Sequence, residues 1–499
     1  MQTEFQTAIL NTLLICGCCI GMAVPTGLFL SFVLVRTNIR FRRAMFVALC
    51  SQLAVPLYVF AAGWSAAIGT QGWMRGWLPE LFPAASSIGN FLSVAAIHAL
   101  AAIPWVCIIN ALGLIWTDRN QEEVATIEGG YSQLLRRSLL PRMRYWIGAS
   151  CLWCAIPVLT EMVVTNLYQV PSVAEQIYLD ASRGSISPQT YLFAVLTCIL
   201  PIIVAGWLLN LRAPPWRHVV NRAAHYSPHE LNLTTWRLPL TLATLAIVVV
   251  LTVIPILSLI AKAGWKPYVD SLGQTSYGWS FRRFFTTAKE SVFLFGEEFY
   301  WSSLLAFMSS IIAFAIASGL IAACISRNRT AIVAFSMLLL VAVPGPLAGM
   351  LVIDLMNRDS PQLLGLLYDT TLAAPILAQQ FRLLPLAWTL LVTVRATIDQ
   401  STWEQIQIDG MSRWQALRLI ILPHAATRLF VAWLLVFVYS LGELSCSILV
   451  LPPGVTTVSM RLFEMLHFGM RHQDSGLSGI LLLYGWLVSL AIWKTLRDR

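Results

Sequence analysis

The chain has 499 residues, 57% of them hydrophobic and only 11% charged, with a mean hydropathy of +0.71. Soluble domains carry roughly 25% charged residues, so this composition excludes a water-soluble globular protein and points to the membrane class. The net charge of +9 does not mark a nucleic-acid binder, because the arginines stand in short loops between apolar runs and form no basic cluster with interleaved aromatics.

A membrane-spanning helix needs about 20 mainly apolar residues. In chain order, the apolar runs predict eleven of them, at 7–35, 44–68, 89–116, 145–168, 189–210, 238–262, 298–324, 331–356, 371–396, 429–450 and 475–495. In hydrocarbon every backbone polar group must bond internally, so the expected fold class is an all-α polytopic membrane protein. The opening "MQTEFQ" lacks a basic n-region and the run behind it exceeds a signal core, so the first run is expected to stay as a helix. "CLWC" (Cys151, Cys154) has redox-motif spacing, but within a lipid-length helix two buried, inert thiols are the plainer reading.

With the N-terminus outside, the loops at 36–44, 117–144, 211–237, 326–330 and 397–428 and the tail "KTLRDR" fall on the cytoplasmic side. They hold most of the lysines and arginines, as the positive-inside rule requires. The opposite loops include two aromatic-rich stretches, 70–87 and 263–297. These suit an interfacial tryptophan belt, or a surface that receives a soluble partner.

The sequence also repeats itself. Pro104 stands 25 residues before Gly129 and Pro385 stands 25 before Gly410; Glu123 and Glu404 each stand six before their glycine. With one residue fewer in the first copy, Pro141 and Pro423 follow, and 20 residues beyond each comes a glutamate in an apolar run, Glu161 and Glu443. Helices one to five match seven to eleven, and the extra sixth keeps both sets in the same orientation, as in a parallel repeat. The expected division is 1–236 and 237–499, with the polar stretch 212–237 as linker. His218, His225 and His229 in that linker are irregularly spaced and lack a Cys partner, so they read as a solvated loop and not a metal site.

The repeated polar stretch runs 401–423, with a degenerate copy at 120–141. Ser401 with Glu404, and Ser412 with Gln415, have capping-box spacing, and Gly410 supplies a turn that needs positive φ. Two short helices joined at a glycine are therefore expected, the second carrying Trp414, Leu417 and Ile421 on one face. Flanked by Glu404 and Arg418, that face suits a groove on a partner protein. A partnerless interfacial hairpin explains one copy as well, but two in register less readily.

These residues carry a resemblance. Glu404, Gly410, Ile420, Leu422 and Pro423, and less closely Glu123, Gly129, Leu140 and Pro141, resemble the EAA loop of binding-protein-dependent ABC-transporter permeases. The stretches 159–180 and 442–469 are similar to the segments after that loop in fused two-half permeases for iron(III), thiamine, polyamines and sulfate. The resemblance implies an importer permease in the bacterial cytoplasmic membrane, with each loop docked on one of two ATP-binding cassette ATPases and cargo delivered by an extracytoplasmic solute-binding protein. Glu123, Gly129, Pro141, Glu404, Asp409, Gly410, Arg418 and Pro423 become the expected coupling residues. ATP and Mg are then expected on the partner: none of the four lysines here follows a glycine, so no phosphate-binding loop is present.

Glu161 and Glu443 have two readings. Charges in spans cost about 2.5–3.5 kcal/mol at the centre, so they face a path or a partner. One reading is a pair in the transport path attracting a cation, with iron(III) first and thiamine second; the other is a structural carboxylate bonded to hydroxyls such as Thr160 or Ser445, or capping a helix break. Arg382, without a counterpart at Ala101, is expected to snorkel to the outer boundary, an anion-binding role being the lesser reading. The rival class is an ion-coupled secondary transporter using the same two acids, which leaves the polar loops unexplained. No nucleophile–base arrangement or His/Cys/Asp cluster points to an enzyme or a bound metal.

Overall fold

The computed structural model describes residues 2–69, 72–74, 87–115, 139–183, 188–210, 231–269, 275–323, 327–357, 362–398, 400–468 and 473–497, with single positions 124, 127, 130, 133 and 136. The first helices are α1 (Gln2–Arg36), α2 (Arg42–Gln52), α3 (Leu57–Ile68) and α4 (Ser87–Ile115). Then come α5 (Leu140–Thr160), α6 (Val163–Leu167), α7 (Val173–Ser182), α8 (Pro188–Asn210) and α9 (Arg237–Gly264). An antiparallel hairpin, β1 (Trp265–Val269) with β2 (Thr275–Trp279), leads into α10 (Phe281–Leu294). The next are α11 (Gly296–Ala323), α12 (Arg327–Ala342), α13 (Gly345–Asn357), α14 (Gln362–Thr370) and α15 (Ala373–Ala396). The chain closes with α16 (Gln400–Ile408), α17 (Arg413–Ala416) and its π turn Leu417–Ile421, α18 (Leu422–Leu441), α19 (Val458–Phe468) and α20 (Gln473–Arg497).

The protein is an all-α polytopic membrane protein. Among the described residues six helices are long and apolar enough to cross a membrane, eight if each of two bent pairs counts as one crossing. The other three expected crossings coincide with α5, α8 and α20.

Four expected spans are broken, and the breaks matter most. The runs 44–68 and 331–356 are not single helices: α2 meets α3 at 108° and α12 meets α13 at 101°. Pro56 and Pro344 stand at these corners, where a residue without an N–H and with a clashing ring ends a helix. The expected helices 145–168 and 429–450 stop early, at Thr160 and Leu441. Glu161 and Glu443 therefore lie at helix ends and not within spans. Two further stretches expected as loops hold α14 and the hairpin with α10.

The order of elements recurs. Beyond each early stop the chain turns through a residue with positive φ, Gln169 (54°) and Gly454 (82°). Three residues later a hydroxyl caps the next helix: Ser172 Oγ accepts from Glu175 N at 3.2 Å, and Thr457 Oγ1 from Met460 N at 3.3 Å. Arginines tie neighbouring helix ends alike. Arg36 donates to Leu114 O at 2.5 Å in the last turn of α4, and Arg395 to Ile321 O at 3.3 Å in the last turn of α11. Each satisfies a carbonyl that the helix end leaves orphaned, at the negative end of the dipole.

The two sets interlock. α8 packs on α12 of the other set, and α20 on α2 and α3. One apolar cluster joins Tyr58, Val59 and Ala62 of α3 to Leu444, Leu462 and Leu477. Gly442 lies so close to Pro56 that a Cβ there would meet its ring.

Candidate functional site

All four helix breaks face one cavity of about 220 Å³. Its wall includes Gln52–Leu57 from the first corner, Val341 from the second, Thr160–Val163 without Met162, and Gly442–Ser445. Irregular backbone at membrane depth is tolerated where it is buried in protein or lines a cavity, because elsewhere its polar groups find no partner.

Glu161 and Glu443 both line this cavity. Each carboxylate also holds its own break together. Glu161 accepts from Val163 N at 2.5 Å and Val164 N at 3.3 Å; Glu443 accepts from Cys446 N at 2.8 Å and from Ser447 Oγ at 3.2 Å. Thr160 bonds instead to Ile156 O, 2.7 Å away. A carboxylate on exposed N–H groups is the favourable charge at the start of a helical turn, so one geometry serves both capping and the cavity.

Arg382 corrects the expectation of snorkelling. It is only 8% exposed, lines the cavity, and donates to Val341 O in the last turn of α12. The corner between α12 and α13 frees that carbonyl, and a buried guanidinium is held there by a partner that solvent at the boundary would have replaced. Its charge acts on both carboxylates, with no direct ion pair at Glu161 or Glu443 among the described residues. Ala101, its counterpart in the repeat, lines the same cavity.

Several lining groups were not anticipated. Trp105 and Trp153 lie in tilted contact, ring centroids 4.7 Å apart with 41° between the planes. His98 Nε2 and Gln52 Nε2, on residues that line the wall, are buried without a hydrogen-bond partner. The prolines at 56, 104 and 157 were the available signal, since each disturbs a helix that lines the wall. Among the described residues no group of three or more His, Cys, Asp or Glu could hold a metal ion; His218, His225 and His229 lie outside them.

The second polar stretch forms a knuckle. α16 and α17 meet at Gly410, whose φ is 62°. Ser412 and Gln415 form the expected box, Ser412 N donating to Gln415 Oε1 at 2.9 Å and Gln415 N to Ser412 Oγ at 3.3 Å. Ser401, by contrast, lies inside α16 and does not begin it. Glu404, Asp409, Arg418 and Pro423 are exposed. Of the expected face, Trp414 is exposed but Leu417 and Ile421 are half-buried, and Leu419 and Leu422 face outward in their place with Ile408. Ile408 is 83% exposed and Trp414 68%. Arg395 lies over Trp403 at 5.3 Å, and Arg428 donates to Thr397 Oγ1 at 2.7 Å, fastening the knuckle to α15.

In the first copy Glu123 and Gly129 lie outside the described residues. The positive φ, 66°, belongs to Gly130, one residue beyond the glycine that anchors the sequence comparison. Ile127 ahead of it is 86% exposed, and Pro141 opens α5.

Fold and site define a polytopic membrane transport protein whose cavity is built where helices break. Residues 291–493, from just before α11 to within α20, match the family model described as binding-protein-dependent transport system inner membrane component. Over these residues the chain is similar to the inner-membrane components of binding-protein-dependent transport systems. No curated protein matches the chain.

Proposed function

We propose that this single chain supplies the whole translocation path of an ABC importer of the bacterial cytoplasmic membrane. Residues 1–236 and 237–499 act as its two halves. Each knuckle docks on one of two ATPase subunits that carry the ATP and Mg, and a soluble binding protein delivers cargo from outside. The observation that carries this reading is the exposed apolar knuckle at Gly410, held through Arg395 on Trp403 to a helix that lines the cavity. Closure of the ATPases on both knuckles would move α4, α5, α15 and α18 and with them the cavity wall.

The proposed cargo is iron(III). Two carboxylates on one wall suit a hard cation, which takes oxygen ligands, and the post-loop segments resemble those of iron(III) permeases. Thiamine is the second reading, favoured by the adjacent rings of Trp105 and Trp153 on the wall, since an aromatic cation is attracted to such faces.

Proteoliposomes holding the chain with its ATPase and binding protein test both levels. Uptake that requires ATP and the ATPase is the expected result, with ferric ion taken up in preference to thiamine. Uptake driven by a proton or sodium gradient alone would overturn the importer reading in favour of a secondary transporter.

A further inference from the structure

The cavity's charges are settled in an unequal way. Glu161 and Glu443 rest on backbone N–H groups, and Arg382 rests on a terminal carbonyl of α12. Each charge is thus held by a helix break of suitable polarity, and none is cancelled by a direct ion pair. The repeat provides two acids, but only one of its two equivalent positions, 101 and 382, carries a cation. The wall is left with one formal negative charge.

We propose that Arg382 sets the charge selectivity of this cavity: it is a built-in counter-cation that partly neutralises Glu161 and Glu443, and a cationic cargo must outcompete it. This rests on reading the cavity as the transport path and adds the residue that ranks cargo by charge. With Arg382 in place, a weakly bound monocation meets little net attraction, whereas a cargo of higher charge or with an aromatic face gains enough to enter. An arginine at 101 as well would bring the balance to zero and remove the net attraction for cations.

The test needs neither cargo nor ATPase, so its outcome is independent of ATP-driven uptake. Ala102 lines the cavity beside position 101. The full-length chain carrying Ala102→Cys is reconstituted in liposomes. It is then treated with a cationic trimethylammonium-ethyl or an anionic sulfonatoethyl methanethiosulfonate, and the rate at that cysteine is read by mass spectrometry. The cationic reagent should react faster. Arg382→Gln should raise the cation-to-anion rate ratio about tenfold, Arg382→Lys should leave it near the starting value, and Ala101→Arg should lower it about tenfold. The proposal is overturned if Arg382→Gln leaves the ratio unchanged, or if the anionic reagent is favoured with Arg382 in place. Should Arg382→Gln fail to fold, Ala101→Arg decides alone: an unmoved ratio refutes the proposal and a fall sustains it.

Discussion

Glu443 accepts the Cys446 N–H, which has no other acceptor among the described residues, and shares the Ser447 hydroxyl with Leu444 O. Glu443→Ala should therefore lower stability by about 1–3 kcal/mol, the cost of leaving a buried donor unpaired, and should also cut uptake of a cationic cargo. Glu443→Gln keeps an acceptor oxygen without the charge, so uptake should fall while thermal unfolding in detergent stays near that of the parent. If both variants unfold alike and transport alike, the carboxylate is only a cap. At this scale spacing was enough to pair Glu161 with Glu443, because a 20-residue interval after a proline survives in linear sequence. Their capping partners were not legible: the helices had to be known to stop at Thr160 and Leu441, and apolar residues continue past both points. Arg382 was misread for the same reason. An arginine in an apolar run looks destined for the boundary until a corner in another helix offers it a carbonyl.

The knuckle is where local chemistry spoke most clearly among the elements. Glycine and the Ser412–Gln415 box have short-range signatures, and both were visible before any fold was known. Gly410→Ala should cost roughly 1–2 kcal/mol in the left-handed region and weaken coupling, measured as ATPase activity stimulated by the permease. The outward apolar face gives a sharper expectation. Ile408→Asp with Trp414→Asp should abolish ATPase binding in a pull-down, with the melting temperature of the isolated permease unchanged, because neither side chain is buried in this chain. Retained binding would move the docking surface elsewhere. That face keeps Trp414 of the expected three but has Leu419 and Leu422 where Leu417 and Ile421 were expected. The bent pairs were half-visible: Pro56 and Pro344 announced an interruption, but an angle near 100° follows from what packs into the corner. The turn at Gln169 had no glycine to announce it.

For the molecule as a whole, the interlocking of the two sets explains how one cavity gathers four breaks. α8 and α20 each cross to the other set's bent pair, and Gly442 sits on Pro56. Gly442→Val should therefore damage assembly of the two sets, read as aggregation and loss of a monodisperse peak, more than Gly410→Val, whose site is open. An intact, transporting Gly442→Val protein would contradict that packing. Fold class was legible because hydropathy reports it directly. The crossing of sets was not, since linear order places each helix with its own neighbours.

The central claim is that one chain carries two working knuckles. Photo-crosslinking residues at 127 and 408, both exposed just ahead of a left-handed glycine, measure it most directly in the assembled complex with the ATPase. The account predicts nucleotide-dependent crosslinks from both positions, to two ATPase subunits per chain. Crosslinks from 408 alone, in an active complex, would contradict it.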